Sequence, residues 1–505
     1  MVYASIEKEF NSLKKENKFL KQEYIKIQEE LRLLKKDLYG TKSESYEDPR
    51  QLIFNEIEVE SKKIEKKELK IKVSFERKKG KQKRKPFPAD LLREEKVIDL
   101  EESEKICPYD GEKLKLIGSV DTEKLKTAPA KTWIEVEKRL KYICPCCEKI
   151  KETKSDSLLP GTIVTPELLA FIVYSKFFQS LPLYRIEEQY KLQGIELKRG
   201  NMARWLIQIS EKLQPIWNLL EEKVLSDDYL SIDASYVQVL REKNRRAQSK
   251  SFMWGRGSPE QGIILFDYDV SGGGRVAEKL LKDYRGTVQG DAHRGYGKLN
   301  KQNVVLIGCL MHARRRFFKA WVKGQKRAGL ASEGLNQIQE IYKKEEEYKK
   351  NNLSPELRKM KRDQEVKPLL ENLRDWCEKN KSKVLKSTPV GNAIHYFLNE
   401  YSEISGFLNN GRYEIDNGWI ERQIKRFAIG RKNWMFSVSE KGAHASALLY
   451  SLVITIKLNG KNPYEVLTEV LNKIPKAKTL EDFESITQLL LSPLQKIQFL
   501  KKEEN

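Results

Sequence analysis

A seven-residue repeat of apolar positions runs through residues 1–40, and Lys and Glu fill most of the positions between them. The repeat forms two seams, which are Ile6, Leu13, Leu20, Ile27 and Leu34, and Phe10, Asn17, Tyr24, Leu31 and Leu38. This pattern predicts a coiled coil in which the first seam occupies the d positions of the heptad and the second occupies the a positions. The alternative is one amphipathic helix packed on the protein's own core, which would also show an apolar stripe. Because a buried Asn at an a position tends to fix a parallel dimer in one register, we expect a homodimer or a higher oligomer through this segment.

Further along the chain the apolar positions follow first a helical and then a strand-like period. Helical periodicity from Thr165 to Val224 gives way at Tyr229 to apolar runs that favour strands. The expected strands are Tyr229–Leu240, Lys250–Arg256, Gly262–Val270, Gly286–Gly290 and Val304–Met311, with helices at Val276–Tyr284 and from His312 onward. Residues 325–405 are charged and helical in pattern, and further helices are expected at Asp416–Phe427 and Ala443–Lys457. This order predicts a multidomain α+β protein with a mixed α/β sheet layered by helices.

The charge balance favours a polyanionic partner. The 505 residues include 95 Lys or Arg and 73 Asp or Glu, a net charge of +22. Residues 61–85 alone contain thirteen Lys or Arg and three Glu. Such a run is commonly solvated and disordered, but it also suits sequence-independent contact with DNA phosphates. No apolar run is long enough to predict a membrane-spanning helix, and six cysteines suit a reducing, cytoplasmic setting rather than a disulfide scaffold.

A cluster of cysteines between residues 101 and 158 has the spacing of a metal-binding knuckle. Cys107 is followed three residues later by Asp110, and Cys144 is followed three residues later by Cys147. In a C-x-x-C turn both thiolates point at one tetrahedral ion, and a carboxylate can replace a thiolate. Cys107, Asp110, Cys144 and Cys147 are therefore a possible Zn²⁺ ligand set. Cys146 is a substitute ligand, and a metal-free knuckle held by packing is the alternative.

The helical region 159–226 contains an arrangement that resembles a helix-turn-helix. One helix follows Leu181–Arg185, a turn falls at Gly194, and a second helix is expected from about Lys198 to Ser210. In such motifs the N-terminal residues of the second helix contact base edges. Helix pairs joined by a Gly turn are also common in ordinary α domains. The candidate DNA contacts are Arg185, Lys198, Arg199 and Arg204.

Three acidic residues stand out by their placement. Asp233 lies inside the apolar strand Leu230–Ser235, Asp291 follows the short strand at 286–290, and Glu421 lies in the helix that begins near residue 416. A carboxylate in a central strand is costly to bury unless it is paired or binds metal. Two such carboxylates on neighbouring strands and one from a facing helix give the oxygen ligands that Mg²⁺ or Mn²⁺ prefers. Two ions held in this way can promote phosphodiester cleavage, whereas a lone Asp is more often a strand-end cap or an ion-pair partner.

Several segments resemble transposases of the insertion sequence 66 family. They are Tyr39–Glu44, Leu181–Arg185, His312–Phe318, Gly411–Arg422, Ile429–Phe436, Leu449–Leu452 and Lys457–Pro463. The order of modules is also the family's, so the resemblance covers nearly the whole chain. Three positions depart from the family's pattern. Ala234-Ser235-Tyr236 replaces Glu-Thr-Pro after the first aspartate, Ala292-His293 replaces Gly-Tyr after the second, and Asp110 replaces a knuckle cysteine.

The resemblance implies a DDE transposase with a ribonuclease-H-like catalytic fold that a helical insertion interrupts before the glutamate. It implies Asp233, Asp291 and Glu421 as the triad, with Asp233 bridging two Mg²⁺ (or Mn²⁺) ions and each of the others holding one. Water would cut the phosphodiester at an element end, and the freed 3′-hydroxyl would attack target DNA. The residues expected to neutralise phosphates near the scissile bond, unless they pair with acidic helix faces, are Arg314, Arg315, Arg316, Lys425, Arg431 and Lys432.

The implied partners are double-stranded DNA, at the element ends and the target, and small accessory proteins of the kind that family members often use. The implied setting is the bacterial cytoplasm, in association with the nucleoid. The expected segments are a coiled coil (1–40), a basic linker (41–100), a zinc-knuckle domain (101–158), a helix-turn-helix region (159–226), the first part of the catalytic domain (227–320), a helical insertion (321–410), the completion of the catalytic domain (411–436) and a C-terminal helical region (437–505). The alternatives are an inactive relative that still binds element ends, and a nuclease of the same fold without strand transfer.

Overall fold

The computed structural model describes residues 132–136, 141–143, 150–152, 157–291 and 304–492, which fall into two compact units. The smaller unit, Gln51–Lys154, includes strands β1 (Lys141–Ile143) and β2 (Ile150–Glu152), which pair antiparallel. The larger unit includes every described residue from Ser157 onward. The coiled-coil segment, the basic linker and the four candidate zinc ligands lie outside the described residues, so what the sequence predicts for them stays a prediction.

A mixed sheet forms the centre of the larger unit. Its strands are β3 (Tyr229–Arg241), β4 (Lys250–Ser258), β5 (Ile263–Asp269), β6 (Thr287–Gln289), β7 (Val305–Ile307) and β8 (Ser437–Ser439). The order across the sheet is β5-β4-β3-β6-β7. Strands β3, β4 and β5 pair antiparallel, and β6 and β7 run parallel to β3. Strand β8 pairs parallel with the other end of β3, where Val239 lies opposite Ser437, so β3 is the central strand.

Helices form two hydrophobic cores in this unit. They are α1 (Pro166–Val173), α2 (Leu183–Leu192), α3 (Arg199–Leu225), α4 (Gly274–Leu280), α5 (Leu310–Lys323), α6 (Leu330–Lys350), α7 (Pro355–Lys361), α8 (Lys367–Lys381), α9 (Pro389–Asn399), α10 (Tyr401–Ser405), α11 (Gly418–Trp434), α12 (Glu440–Leu458), α13 (Pro463–Lys473) and α14 (Leu480–Leu490). One core joins the sheet to α1–α4 and α11–α14, and the other joins α5 to α6 and α8–α10. Within the described ranges, none of these helices combines the length and apolar composition that a bilayer crossing requires.

The outer edge of β5 is covered by polar side chains of α12. Ser451 Oγ accepts a hydrogen bond from Phe266 N at 2.7 Å, and Thr455 Oγ1 accepts one from Ile264 N at 3.2 Å. Asn459 Nδ2 donates to Gly262 O at 3.1 Å. These three helix positions are four residues apart, so they lie on one face and follow the strand edge. These bonds satisfy part of the outer edge of β5, which reduces its capacity to pair with another chain.

The sequence predicted the three long strands within two residues of their observed ends. Other predictions need correction, among them the end of α11, which lies at Trp434 rather than Phe427. Helix α3 begins at Arg199 but ends at Leu225 rather than near Ser210, because its buried apolar residues continue at helical spacing. The apolar run at Val304–Met311 forms only the short β7, because its second half already begins α5 at Leu310.

Candidate active site

The sheet register brings the two predicted aspartates side by side. Asp233 lies within β3, and the parallel strand β6 has Gln289 opposite Ser231. Strand β6 ends at Gln289, two residues before Asp291, and the charge of Asp291 acts on Asp233. Neighbouring strands lie about 4.8 Å apart, and residues two apart on a strand point to the same face. The two carboxylates therefore meet at one place on the sheet although they are far apart in the sequence.

Glu421 approaches this place from the first turn of α11. The helix is preceded by Asn417, whose side-chain Nδ2 donates a hydrogen bond to Ile232 O at 2.9 Å. Ile232 directly precedes Asp233 on β3. The backbone N–H of Asn417 donates to Cys309 Sγ at 3.2 Å, which connects the start of α11 to the start of α5. Because Asn417 is buried, these two bonds fix where the glutamate helix begins relative to the aspartate strand.

The segment that leads into α11 is also bonded to the sheet. Tyr413 and Thr287 share a hydrogen bond between their hydroxyls at 2.8 Å. Gln289 Nε2 donates to Glu414 O at 2.8 Å, and Glu414 N donates to the hydroxyl of Tyr229 at 3.2 Å. Thr287 and Gln289 belong to β6, the strand that leads to Asp291. These bonds therefore hold the glutamate segment against the strands that carry both aspartates.

The three carboxylates repel one another. Burial, followed by the charges of Asp291 and Glu421, raises the pKa of Asp233 from 3.8 to about 8. A hydrogen bond from Ala234 N to Asp233 Oδ1 at 2.7 Å and the charge of Arg315 act in the opposite direction without cancelling the rise. Charges act strongly on a carboxyl when they lie close to it in a site shielded from water. The carboxylates thus form one electrostatic cluster.

Arg315, on α5, is a basic residue that contacts this cluster directly. Its Nη2 donates to Glu421 Oε2 at 2.8 Å, and its Nη1 lies 3.3 Å from His312 Nε2. The remaining atoms of this group are His312 Nδ1 and Glu421 Oε1, which lie 3.8 Å apart. Both atoms are buried, and neither has a hydrogen-bond partner among the described residues. One carboxylate oxygen of Glu421 is therefore satisfied and the other is not.

Two groups beside Glu421 are uncharged at neutral pH. Burial, helped by the charge of Arg315, lowers the pKa of His312 to about 4. Burial raises the pKa of the Cys309 thiol well above its usual value. One ligand atom from each of Cys309, His312 and Glu421 lies within 4.8 Å of the other two, close enough for a metal ion to contact all three.

The basic residues predicted to contact phosphates differ in their surroundings. Arg316 donates to Asn392 Oδ1 at 2.9 Å and stacks 3.9 Å from the centroid of Tyr396. Arg431 donates to Ser235 Oγ at 3.0 Å and to the carbonyl of Tyr236, whose ring it covers at 3.8 Å. Of the others, Arg314 and Lys425 are half-buried on α5 and α11, and Lys432 is exposed. Arg315 pairs with Glu421, as the acidic-partner alternative allowed.

The predicted helix-turn-helix residues lie on α2 and α3. Gly194 has a φ of +76° in the turn between them. Arg185, Lys198, Arg199 and Arg204 are all exposed. Arg199 N donates to Glu187 Oε1 at 3.2 Å, which joins the first helix to the start of the second. Lys198 Nζ also pairs with Glu196 at 3.0 Å, so the start of α3 is exposed and partly ion-paired.

Sequence reasoning missed three residues that position the site. Asn417 and Gln289 hold α11 and its leading segment, and both are buried polar residues next to a predicted acid. Gly255 on β4 allows α11 to lie close to the sheet, because a Cβ there would lie 2.9 Å from Ile424 Cγ1. The sequence contained a signal for each of these residues. A polar residue among apolar ones, or a glycine inside a strand, usually has a structural reason.

Models of known protein families match most of the chain. The model described as "Transposase IS66 family" matches residues 161–445, which is more than half of the chain. The chain belongs to the IS66 transposase family. Two further models match the N-terminal part: "Transposase C of IS166 homeodomain" at residues 26–95, and "zinc-finger binding domain of transposase IS66" at residues 104–148. The latter includes all four predicted zinc ligands.

Three relatives of this IS66 transposase come from Sinorhizobium fredii (strain NBRC 101917 / NGR234), and each is named an uncharacterized protein. The protein y4hP is 28% identical over 77% of this chain and 74% of its own length. The protein y4qI is 27% identical over 90% of this chain and 87% of its own length. The protein y4jD is 28% identical over 78% of this chain and 79% of its own length. No solved structure matches the chain.

Proposed function

We propose that this IS66 transposase binds the ends of an insertion sequence, cuts a phosphodiester bond there and joins the freed 3′-hydroxyl to target DNA. The observation that carries the proposal is the convergence of three carboxylates on one place of the sheet. Asp233 lies on β3, Asp291 follows the neighbouring strand β6, and Glu421 lies in the first turn of α11. The raised pKa of Asp233 reflects burial and the charges of the other two.

The residues of this site fit a pair of Mg²⁺ or Mn²⁺ ions. All three side chains offer hard oxygen donors, the kind that these ions prefer. Glu421 Oε1 is buried without a hydrogen-bond partner among the described residues, so a ligand oxygen is available. We expect Asp233 to contact both ions, and Asp291 and Glu421 to contact one each. Divalent ions bound there supply positive charge for the scissile phosphate and lower the pKa of water.

The strand order supports a ribonuclease-H-like catalytic domain. Three antiparallel strands, β3 to β5, are followed by β6 and β7, which pair in parallel on the other side of β3. Asp233 on the central strand and Asp291 after its neighbour are the positions at which that fold carries two of its acids. Helices α6–α10 between α5 and α11 would be the insertion before the glutamate.

The chain's own residues have distinct parts in this proposal. Arg315 orients Glu421 through Oε2 and leaves Oε1 for the ion. Asn417 positions the glutamate helix against β3. The residues proposed to contact DNA phosphates are Arg314, Arg316, Lys425, Arg431 and Lys432 near the cut, and Arg185, Lys198, Arg199 and Arg204 on the helix-turn-helix. Base-edge contacts would come from the start of α3.

The N-terminal segments complete the proposal. A coiled coil over residues 1–40 would make the protein a dimer, the basic linker would hold DNA, and Cys107, Asp110, Cys144 and Cys147 would bind Zn²⁺. Proline in place of Leu20 is expected to abolish the dimer, and light scattering that still gives a dimer would contradict this. Elemental analysis should find about one zinc ion per chain in the knuckle. Association with the nucleoid follows from DNA binding, and small accessory proteins would act with the transposase.

The test is cleavage of a labelled element-end fragment in the presence of Mg²⁺. Asp291→Ala should abolish cleavage and keep end binding, because it removes a metal ligand and leaves the basic surfaces. Asp283→Asn is a matched control, since Asp283 is exposed and should cut like the wild type. Cleavage that persists in Asp291→Ala would contradict the assignment. A wild-type protein that binds ends without cutting them would be the inactive relative, and cutting without joined products would indicate a nuclease.

A further inference from the structure

The start of α5 brings a thiol and an imidazole to the glutamate of the proposed active site. We propose that Cys309, His312 and Glu421 form a binding site for a thiophilic divalent ion such as Zn²⁺, and that this ion stops strand cleavage by occupying Glu421. The second half of this inference rests on the proposed function. The first half, the binding site, stands on the geometry of these three residues alone.

The three ligand atoms are already grouped. One atom from each residue lies within 4.8 Å of the other two, and His312 Nδ1 lies 3.8 Å from Glu421 Oε1. Zinc bonds of about 2.0 to 2.3 Å place tetrahedral ligands roughly 3.3 to 3.7 Å apart. Small side-chain rotations would therefore close the site. Cys309 immediately precedes α5 and His312 lies in its first turn, so the backbone presents both to the same side.

Two of these atoms have an unmet need for a partner. His312 Nδ1 and Glu421 Oε1 are buried, and neither takes part in a hydrogen bond within the described part of the chain. They face each other at a distance too long for a hydrogen bond between them. A cation between them would satisfy both. The side chains of His312 and Glu421 are each 23% exposed, so the site lies near the surface although its ligand atoms are buried.

The surroundings of Cys309 suit a metal-bound thiolate. The backbone N–H of Asn417 donates to Sγ at 3.2 Å, and hydrogen bonds of this kind stabilise ligand sulfurs. Ion binding would release the thiol proton to solvent. Ligation through His312 Nδ1 would place the ring proton on Nε2, so the 3.3 Å contact with Arg315 Nη1 would be lost. The hydrogen bond from Arg315 Nη2 to Glu421 does not depend on that contact.

The thiophilic ion and the proposed Mg²⁺ ions would compete for one carboxylate oxygen of Glu421. Oε2 is held by Arg315, so Oε1 is the oxygen available to an ion. The proposed Mg²⁺ centre and the thiophilic ion would both require Oε1. Sulfur and imidazole ligands favour Zn²⁺ or Cd²⁺ over Mg²⁺, which prefers oxygen. Zinc at this site would therefore exclude the glutamate from the magnesium centre, and abundant magnesium would oppose the exclusion.

Binding can be measured with Cd²⁺ alone, because cadmium thiolates absorb in the ultraviolet through charge transfer. The full-length wild type is compared with Cys309→Ser and with the matched control Cys377→Ser, which alters the other described buried cysteine. We expect Cys309→Ser to lose one equivalent of bound Cd²⁺ and Cys377→Ser to lose none. Since the remaining cysteines are common to all three proteins, the difference isolates this site. Equal stoichiometry and affinity in Cys309→Ser would overturn the proposal.

A second variant covers the case in which Cys309→Ser fails to fold. His312→Gln keeps the thiol and should weaken the same equivalent of Cd²⁺ by at least about tenfold, because it removes a ligand. Unchanged Cd²⁺ affinity in a folded His312→Gln protein would count against the site.

Inhibition is measured separately, as cleavage at fixed Mg²⁺ with rising Zn²⁺. The Zn²⁺ concentration for half inhibition, relative to each protein's own zinc-free rate, should rise at least about tenfold in Cys309→Ser. Added Mg²⁺ should restore wild-type cleavage. Equal zinc inhibition in both proteins would overturn the regulatory half. If the wild type does not cut DNA with Mg²⁺ at all, the proposed function fails, and the Cd²⁺ titration still decides the site.

Discussion

Two carboxylates in the larger unit, the buried Glu345 and the half-buried Asp233, have opposite electrostatic surroundings. Glu345, on α6 in the helical region, accepts hydrogen bonds from Arg362 at 2.7 and 2.9 Å and from Arg358 at 2.6 and 3.1 Å. Burial acts to raise its pKa, but the two guanidinium groups outweigh burial and lower it. Asp233 is surrounded by two other carboxylates, and burial and their charges raise its pKa to about 8.

The difference is one of charge balance. At Glu345 two arginines meet a fully buried acid, and Arg362 itself is buried and also donates to the carbonyls of Phe407, Asn410 and Tyr413. In the candidate active site Arg315 donates to Glu421, and its charge also acts to lower the pKa of Asp233. The first cluster is complete within the chain and stabilises the helical region. The second groups Asp233 with Asp291 and Glu421, whose charges raise its pKa, and such a group of acids suits divalent ions.

The largest effect should come from Asp233→Asn, measured as cleavage of an element end with Mg²⁺. Removing a ligand shared by both proposed ions should cost several kcal/mol of transition-state stabilisation, which corresponds to about a thousandfold slower cleavage. Glu345→Gln, adjusted for any unfolded fraction, should retain most of the activity. Similar losses in both folded variants would remove the distinction between the two clusters.

For stability, we expect the larger loss from the Glu345 variant rather than from the Asp233 variant. Glu345→Gln leaves the buried guanidinium of Arg362 without its carboxylate, so the free energy of unfolding should fall by about 3 to 5 kcal/mol. The matched control is Glu340→Gln on the same helix, whose exposed pair with Lys343 should contribute less than about 1 kcal/mol. Denaturant unfolding of the three proteins measures both. A change below 1 kcal/mol for Glu345→Gln would show that its pairing is not structural.

A smaller effect is expected at the helix that carries the glutamate. Asn417→Ala removes the buried hydrogen bond to Ile232 O and leaves that carbonyl unsatisfied, so stability should fall by about 1 to 3 kcal/mol. Asn433→Ala on the same helix removes an exposed hydrogen bond to Ser180 O and should cost less. Cleavage by Asn417→Ala should also slow, because Glu421 is no longer fixed against β3. Equal stability losses in both variants would argue against a positioning role for Asn417.

The smallest effect concerns pH in a metal-free buffer. Native Asp233 keeps its proton up to about pH 8, whereas an unfolded Asp releases it near pH 4. Between these values the native state binds more protons, so the contribution of Asp233 to stability falls as the pH rises. Asp233→Asn should therefore raise the Tm by a few degrees at pH 8 and leave it unchanged below pH 4. If the Tm of the two proteins changed with pH by the same amount, the result would contradict the raised pKa of Asp233.

The fold was predictable where the local pattern determines it. The long strands β3, β4 and β5 show continuous apolar or β-favouring runs bounded by turn residues, and the sequence predicted their ends closely. The predicted end of α3 was wrong because burial of its apolar residues in the core, rather than helix propensity, extends the helix to Leu225. Strand β7 was too long in the prediction because an apolar run does not reveal where a strand ends and a buried helix begins.

For the candidate site, the sequence allowed the acidic residues to be selected but not the residues that hold them in position. Placement and the family resemblance selected Asp233, Asp291 and Glu421, and their role as metal ligands stays a prediction that the charge effects on Asp233 support. Asn417 and Cys309 escaped because their roles arise from contacts between segments more than 100 residues apart. No local period encodes such contacts. Arg315 was named as a phosphate contact, and only the structure revealed its hydrogen bond to Glu421.

Anomalous scattering from Mn²⁺ in crystals of the full-length protein with a bound DNA end would test the central claim most directly. The account predicts manganese peaks in contact with the carboxylates of Asp233, Asp291 and Glu421, with Asp233 shared between two ions. Crystals grown from Asp291→Ala should lose at least one of these peaks. Well-ordered carboxylates with no manganese beside them, in crystals that hold DNA at the site, would contradict the account.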